Sequence, residues 1–139
     1  MGIQVSIDIT FARNYQPTEI LTKLLKSGWT YCFEGEVTFL CPDDINDFDW
    51  RSVSVAEFDL NRFLNSHEDS DRVSMTLVNK ESVGGDFLIS KNTLTIMVSV
   101  NRTYLSVEQR IIDFSYYLKE FLPFISLMKV TDIKCSNVF

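Results

Sequence analysis

A chain of 139 residues, 45% of them apolar and eleven of them Phe, is one domain's worth of sequence, and the composition excludes intrinsic disorder. A net charge of −6 repels bare nucleic acid, whose phosphates call for Lys and Arg. No run approaches the roughly 20 apolar residues of a membrane span. Three Cys and one His at unmotivated spacings give neither a disulfide framework nor a zinc ligand set, so reduced thiols and a cytoplasmic protein without metal or cofactor are expected.

"MGIQVSIDITF" has no basic or apolar leader, and although it fits the loose myristoylation pattern, an alternating strand begins at once. Residues 3–11 place Ile3, Val5, Ile7, Ile9 and Phe11 on one face, the period of a half-buried strand. Pro17 opens a helix with Ile20, Leu21, Leu24 and Leu25 in its stripe, and Gly28 ends it. Gly35 divides "WTYCFEGEVTFLC" into strands 30–34 and 36–41. An Asp-rich loop follows. Ser54 and Glu57 fit a capping box ahead of Ala56, Leu60, Phe63 and Leu64 on one helical face. Residues 65–71 form a polar connector.

Residues 72–78 read as a strand, "NKESVGGD" as a glycine turn, and "FLIS" with "TLTIMVSV" as an antiparallel pair around Lys91-Asn92. A capping box at Ser106–Gln109 predicts a helix over 107–122, ended or kinked by Pro123. A last strand covers 131–135 and extends towards Phe139. The order β-α-β-β-(α)-β-β-β-α-β predicts one α+β domain over 1–139: a two-layer sandwich with a mainly antiparallel sheet and two main amphipathic helices on one face. Exposed edge strands would allow a homodimer.

The charge is not evenly spread. Residues 34–71 hold eleven acids against Arg51 and Arg62, a local charge of −9, while the remainder has eleven bases and eight acids. The densest stretch is "CPDDINDFDW". It fails as a calcium loop, because a start at Asp44 puts Phe48 at position 5, no Gly at 6 and Val55 at 12. Catalytic carboxylates would need one buried and one wet environment, and an Asp loop beside Pro42 is expected to be wet throughout. His67 lies in the polar "SHEDSD" and is expected at the surface, without the orienting partner a general base needs. Either Tyr116 or Tyr117 must point off its helix stripe.

The remaining reading is a recognition surface. Asp43, Asp44, Asp47, Asp49, Glu68, Asp69 and Asp71 would supply steering charge, and Phe48 and Trp50 the aromatic anchor; the alternative is that Trp50 is core and the Asp loop only solvated. The layout of "VSIDITF…ILTKLLKSGW", "GEVTFLCPDDINDFDW", "GGDFLIS" and "IIDFSYYLKEFL" resembles the small acidic immunity proteins of bacterial polymorphic and contact-dependent toxin systems. The resemblance is one of overall style. It implies a cytoplasmic protein that neutralises a basic toxin domain by binding it. A small carboxylate and divalent-metal enzyme, or a structural or regulatory subunit of a larger complex, are the alternatives.

Overall fold

The computed structural model describes residues 2–139. Its centre is a seven-stranded sheet in the order β3-β2-β4-β5-β6-β1-β9, with every neighbouring pair antiparallel. The strands are β1 (Gln4–Phe11), β2 (Glu36–Phe39), β3 (Arg51–Ser54), β4 (Arg72–Val78), β5 (Gly84–Ser90), β6 (Thr93–Val100) and β9 (Val130–Val138). A separate two-stranded hairpin holds β7 (Tyr104–Ser106) and β8 (Ile111–Ile112). The helices are α1 (Pro17–Lys26), α2 (Leu60–Ser66) and α3 (Phe114–Ile125).

Register explains why one face of the sheet is apolar. Phe39, Met75, Phe87, Ile96 and Ile7 are directly opposite one another across β2, β4, β5, β6 and β1. Strand alternation puts Ile9, Ile89, Leu94 and Val73 on that same face. All of these except Phe39 are buried. The apolar stripes of α1 (Ile20, Leu21, Leu24) and α3 (Tyr117, Phe121, Phe124) cover it. Trp29 binds the layers together, stacking on Phe121 at 4.7 Å and lying 5.1 Å from Phe87. Each such side chain contributes roughly 1.5–3 kcal/mol by leaving water. The opposite face is hydroxyl-rich, with Thr76 donating to Asp86 and Thr95 to Asp8. This is the α+β sandwich that the periodicities predict.

Five local expectations are corrected. The helix predicted from residue 107 begins at Phe114. Ser106 Oγ does accept a hydrogen bond three residues on, from the Gln109 N–H, but this closes the β7–β8 turn, where Arg110 has φ +56°. The true cap is Asp113, whose carboxylate accepts from the Tyr116 N–H and from the Ser115 hydroxyl, bonds that hold its pKa below the usual carboxylate value. The helix also passes Pro123, which lies on its exposed side, because the Ser126 N–H closes the next turn on Leu122 O.

The stretch expected as one helix after Ser54 is two pieces. Ser54 Oγ caps a 3-10 turn over Val55–Glu57, and Asp59 separately caps α2 by accepting from the Arg62 N–H. Residues 30–34 form two isolated bridges, Thr30 to Val78 and Phe33 to Glu36, rather than a strand. Gly84 and Gly85 lie inside β5, not in a turn. A Cβ on them would sit 2.0 Å from Leu77 O and 1.9 Å from Met97 O, so neighbouring backbones require glycine at both positions. The turn itself is Asn79–Ser82, organised by Asn79 Oδ1, which accepts from Glu81 N and Val83 N.

Candidate functional site at the acidic corner

The Asp loop leaves the sheet after Leu40 and returns at β3. It is not a loose solvated loop. Asp44 turns its carboxylate onto the loop's own backbone: Oδ1 accepts from the N–H groups of Asp47 and Phe48, and Oδ2 from that of Asp49 at 2.7 Å. These bonds hold Phe48 at φ +50°, a conformation a bulky residue adopts only when the surroundings impose it. The loop folds over the hydroxyl-rich face, and Arg72 donates to Ile45 O to tether it. Ile45 and Phe48 then line, with Ser74, Leu88, His67 and Arg72, a cavity of about 90 Å³. This cover explains why Ser74, on the polar side of β4, is buried.

His67 is the largest departure from the sequence reading. It is 1% exposed, not a surface residue. Its ring packs 4.2 Å from Phe63, with Nδ1 2.9 Å from Phe63 O and Nε2 3.3 Å from Leu40 O. A neutral imidazole carries a single N–H, so it donates to one carbonyl at a time. Both ring nitrogens face backbone carbonyls, and no carboxylate orients the ring as a catalytic base requires. His67 acts instead as a strut between α2 and the end of β2. The sequence signal was available: Phe63 lies four residues before His67, on the same helical face.

The strut and the Arg72 tether bring residues 41–50 against residues 67–72, two segments apart in sequence. Asp43, Asp47, Asp49, Glu68, Asp69 and Asp71 are exposed, whereas Asp44 is half-buried and spent on the loop. Asp49 pairs with Arg51 at 3.6 Å and Asp71 with Lys91 at 3.1 Å. Asp43, Asp47, Glu68 and Asp69 form no ion pair among the described residues. A depression of about 140 Å³ is ringed by Asp43, Asp44, Asp47 and Asp49, with Arg51 on its wall. Among the described residues no group of three or more His, Cys, Asp and Glu is arranged to hold a metal ion.

No protein-family model, curated protein or solved structure matches the chain. The chemistry of the corner therefore rests on its own geometry.

Of the two proposed anchors, Trp50 is half-buried and Phe48 stands 49% exposed. Ile45, which the sequence reading did not single out, is 62% exposed beside it. A lone Ile within an Asp run was its only sign. A second polar cluster also went unforeseen. Asn79 Nδ2 donates to Tyr116 Oη and to Glu120, and Tyr116 Oη donates to Glu81. Burial pushes the Tyr116 phenol's pKa up, partly offset by the Asn79 hydrogen bond. Tyr116 is the tyrosine that leaves the stripe, while Tyr117 is buried and accepts from the Thr103 N–H. The cluster is internally satisfied and ties α3 to the β4–β5 turn. Among the described residues no helix is long and apolar enough to cross a membrane.

Proposed function

We propose that this chain is a non-catalytic cytoplasmic binding protein that captures one basic protein and neutralises it, in the manner of the immunity proteins its sequence resembles. The supporting observation is the joining of two acidic segments at one corner: Asp43, Asp47 and Asp49 flank exposed Ile45 and Phe48, and the segment carrying exposed Asp69 and Asp71 is tied to the loop through His67 and Arg72. Charge of this kind steers a basic partner and raises its association rate. The two apolar side chains are the groups that lose water on contact and so carry affinity. The depression ringed by carboxylates has room for one Lys or Arg side chain. The anchor is Phe48 with Ile45 rather than Trp50, because an anchor must be exposed before binding.

The test is affinity capture followed by kinetics. The wild-type chain should retain a protein of high isoelectric point in low salt and release it as salt rises, since exposed charges are screened. Asp43→Lys with Asp47→Lys should slow association and flatten its salt dependence. Phe48→Ala should instead speed dissociation, by the roughly 2 kcal/mol of a binding hot spot or more. Retention of the same protein by the doubly reversed variant, at the wild-type rate in low salt, would sink the proposal.

A further inference from the structure

The two edges of the sheet are built differently. β3 is four residues long and runs directly out of the acidic loop. β9 is nine residues long, contains no Pro, and pairs only with β1 among the described residues. Thr131 to Cys135 are exposed, and Ile133, Val138 and Phe139 are large apolar side chains left in water. Proteins usually blunt such an edge by shortening, bulging or covering it; here a register shift lies only at its start, opposite Thr10 and Phe11, and the β7–β8 hairpin reaches only its end, where the Ile112 N–H donates to Asn137 Oδ1.

The direction of the free backbone groups follows from hydrogen bonding further in. The Phe11 N–H donates to Asn92 O, towards β6. In an antiparallel strand both polar groups of a residue point the same way, and the direction alternates. Thr10, Asp8, Ser6 and Gln4 therefore point to β9, where their partners are Asp132, Lys134, Ser136 and Val138. Ile133 and Cys135 consequently turn their N–H and C=O outward, whereas Thr131 is the extra residue where the β1–β9 register shifts and falls outside this alternation.

We propose that β9 pairs antiparallel with β9 of a second copy, about a twofold axis at Ile133, so that two seven-stranded sheets become one continuous sheet. Charge selects this register. Centred on Ile133, Asp132 lies opposite Lys134 of the second copy, twice over, and Ile133 lies opposite itself. Centring on Asp132 or on Lys134 sets like charges face to face, which is destabilising. Centring on Cys135 leaves Lys134 opposite Ser136 and Asp132 opposite Val138, with no charge paired. In the chosen register the two Ile133 residues form a hydrogen-bonded pair.

The net charge of −6 does not oppose this contact. The acidic corner spreads from β3 over β4 and β5, so its nearer side lies three to four strand spacings, roughly 14–19 Å, from β9. That is about twice the Debye length of about 8 Å at physiological salt. The dimer would carry its two acidic corners at opposite ends, both open.

Light scattering at about 100 µM, a concentration at which even a weak edge contact associates, should give twice the monomer mass. Ile133→Pro removes an outward N–H without touching the β1 ladder, so it should give a monomer with an unchanged circular dichroism spectrum. Asp132→Lys, which sets Lys against Lys134, should also give a monomer and serves if the proline variant fails to fold. Ile133→Cys with oxidised glutathione should yield a covalent dimer linked through position 133 of both copies, since Cα atoms in a hydrogen-bonded pair are about 5.5 Å apart. A wild-type monomer, a dimer that survives both Ile133→Pro and Asp132→Lys, or a Cys135–Cys135 cross-link in the wild type would overturn the proposal.

Discussion

The helix-covered centre and the acidic corner are held by different forces. At the centre, Trp29, Phe87, Phe121 and Phe124 pack between sheet and helices, and the cost of exposing them to water sets the structure. At the corner a smaller aromatic group, Phe39, Phe58 and Phe63, sits under α2 with ring centroids 5.4–5.8 Å apart. What shapes the loop there is polar: the His67 strut, the Arg72 tether and the three N–H groups gathered by Asp44. Apolar packing is strong and non-directional, so it fixes a core. Hydrogen bonds are weaker and directional, so they can hold an exposed loop in one shape while leaving its charges in water.

Three substitutions separate the two regimes. The largest effect belongs to Phe121→Ala, which empties a fully buried site against Trp29 and should cost about 3–5 kcal/mol in chemical denaturation. That is a large share of the 5–15 kcal/mol typical of a whole domain. A loss below about 1 kcal/mol would mean the centre is not the stabilising half.

His67→Ala comes next. It leaves Leu40 O without its side-chain partner, at roughly 1–3 kcal/mol for a buried group left unsatisfied, while Phe63 O keeps the Ser66 hydroxyl and the residue-67 N–H. Amide exchange should rise in residues 41–50 and 63–72 more than in β1 or β6. Uniform exchange across the sheet would break the distinction between corner and centre.

Asp44→Ala should be smallest in global stability, about 1 kcal/mol or less, because its bonds lie near solvent. Its effect should be local: the amides of Asp47, Phe48 and Asp49 exchange faster. Unchanged protection at all three would show that Asp44 does not shape the loop. Asp44→Asn retains the Oδ1 bonds to Asp47 and Phe48 and should lie between the two.

The fold class was legible because its signal is periodicity. β1 alternates over its full length, and α1 shows one stripe between Pro17 and Gly28, so both were readable in sequence. The start of α3 was not. Ser106 accepts a hydrogen bond three residues on in a hairpin turn much as it would at a helix start, and only Arg110's left-handed backbone distinguishes the two. The glycines of β5 misled for a related reason. Gly marks either a turn or a close approach of backbones, and the choice depends on strands remote in sequence.

The acidic stretch was visible as composition, but its use was not. The residue list placed four carboxylates in the loop without showing that Asp44 would be spent on backbone N–H groups, or that Phe48 rather than Trp50 would stand in water. Likewise "SHEDSD" reads as polar, yet His67 is buried because a helical turn aims it at Leu40, twenty-seven residues earlier. The alternation of strands and helices, the apolar face each presents, and the excess of acid between residues 34 and 71 are all local properties of neighbouring side chains and can be read along the chain. Only the tertiary structure decided which carboxylates remain free, which aromatic is exposed and which sheet edge lies open, because those depend on contacts between segments distant along the chain.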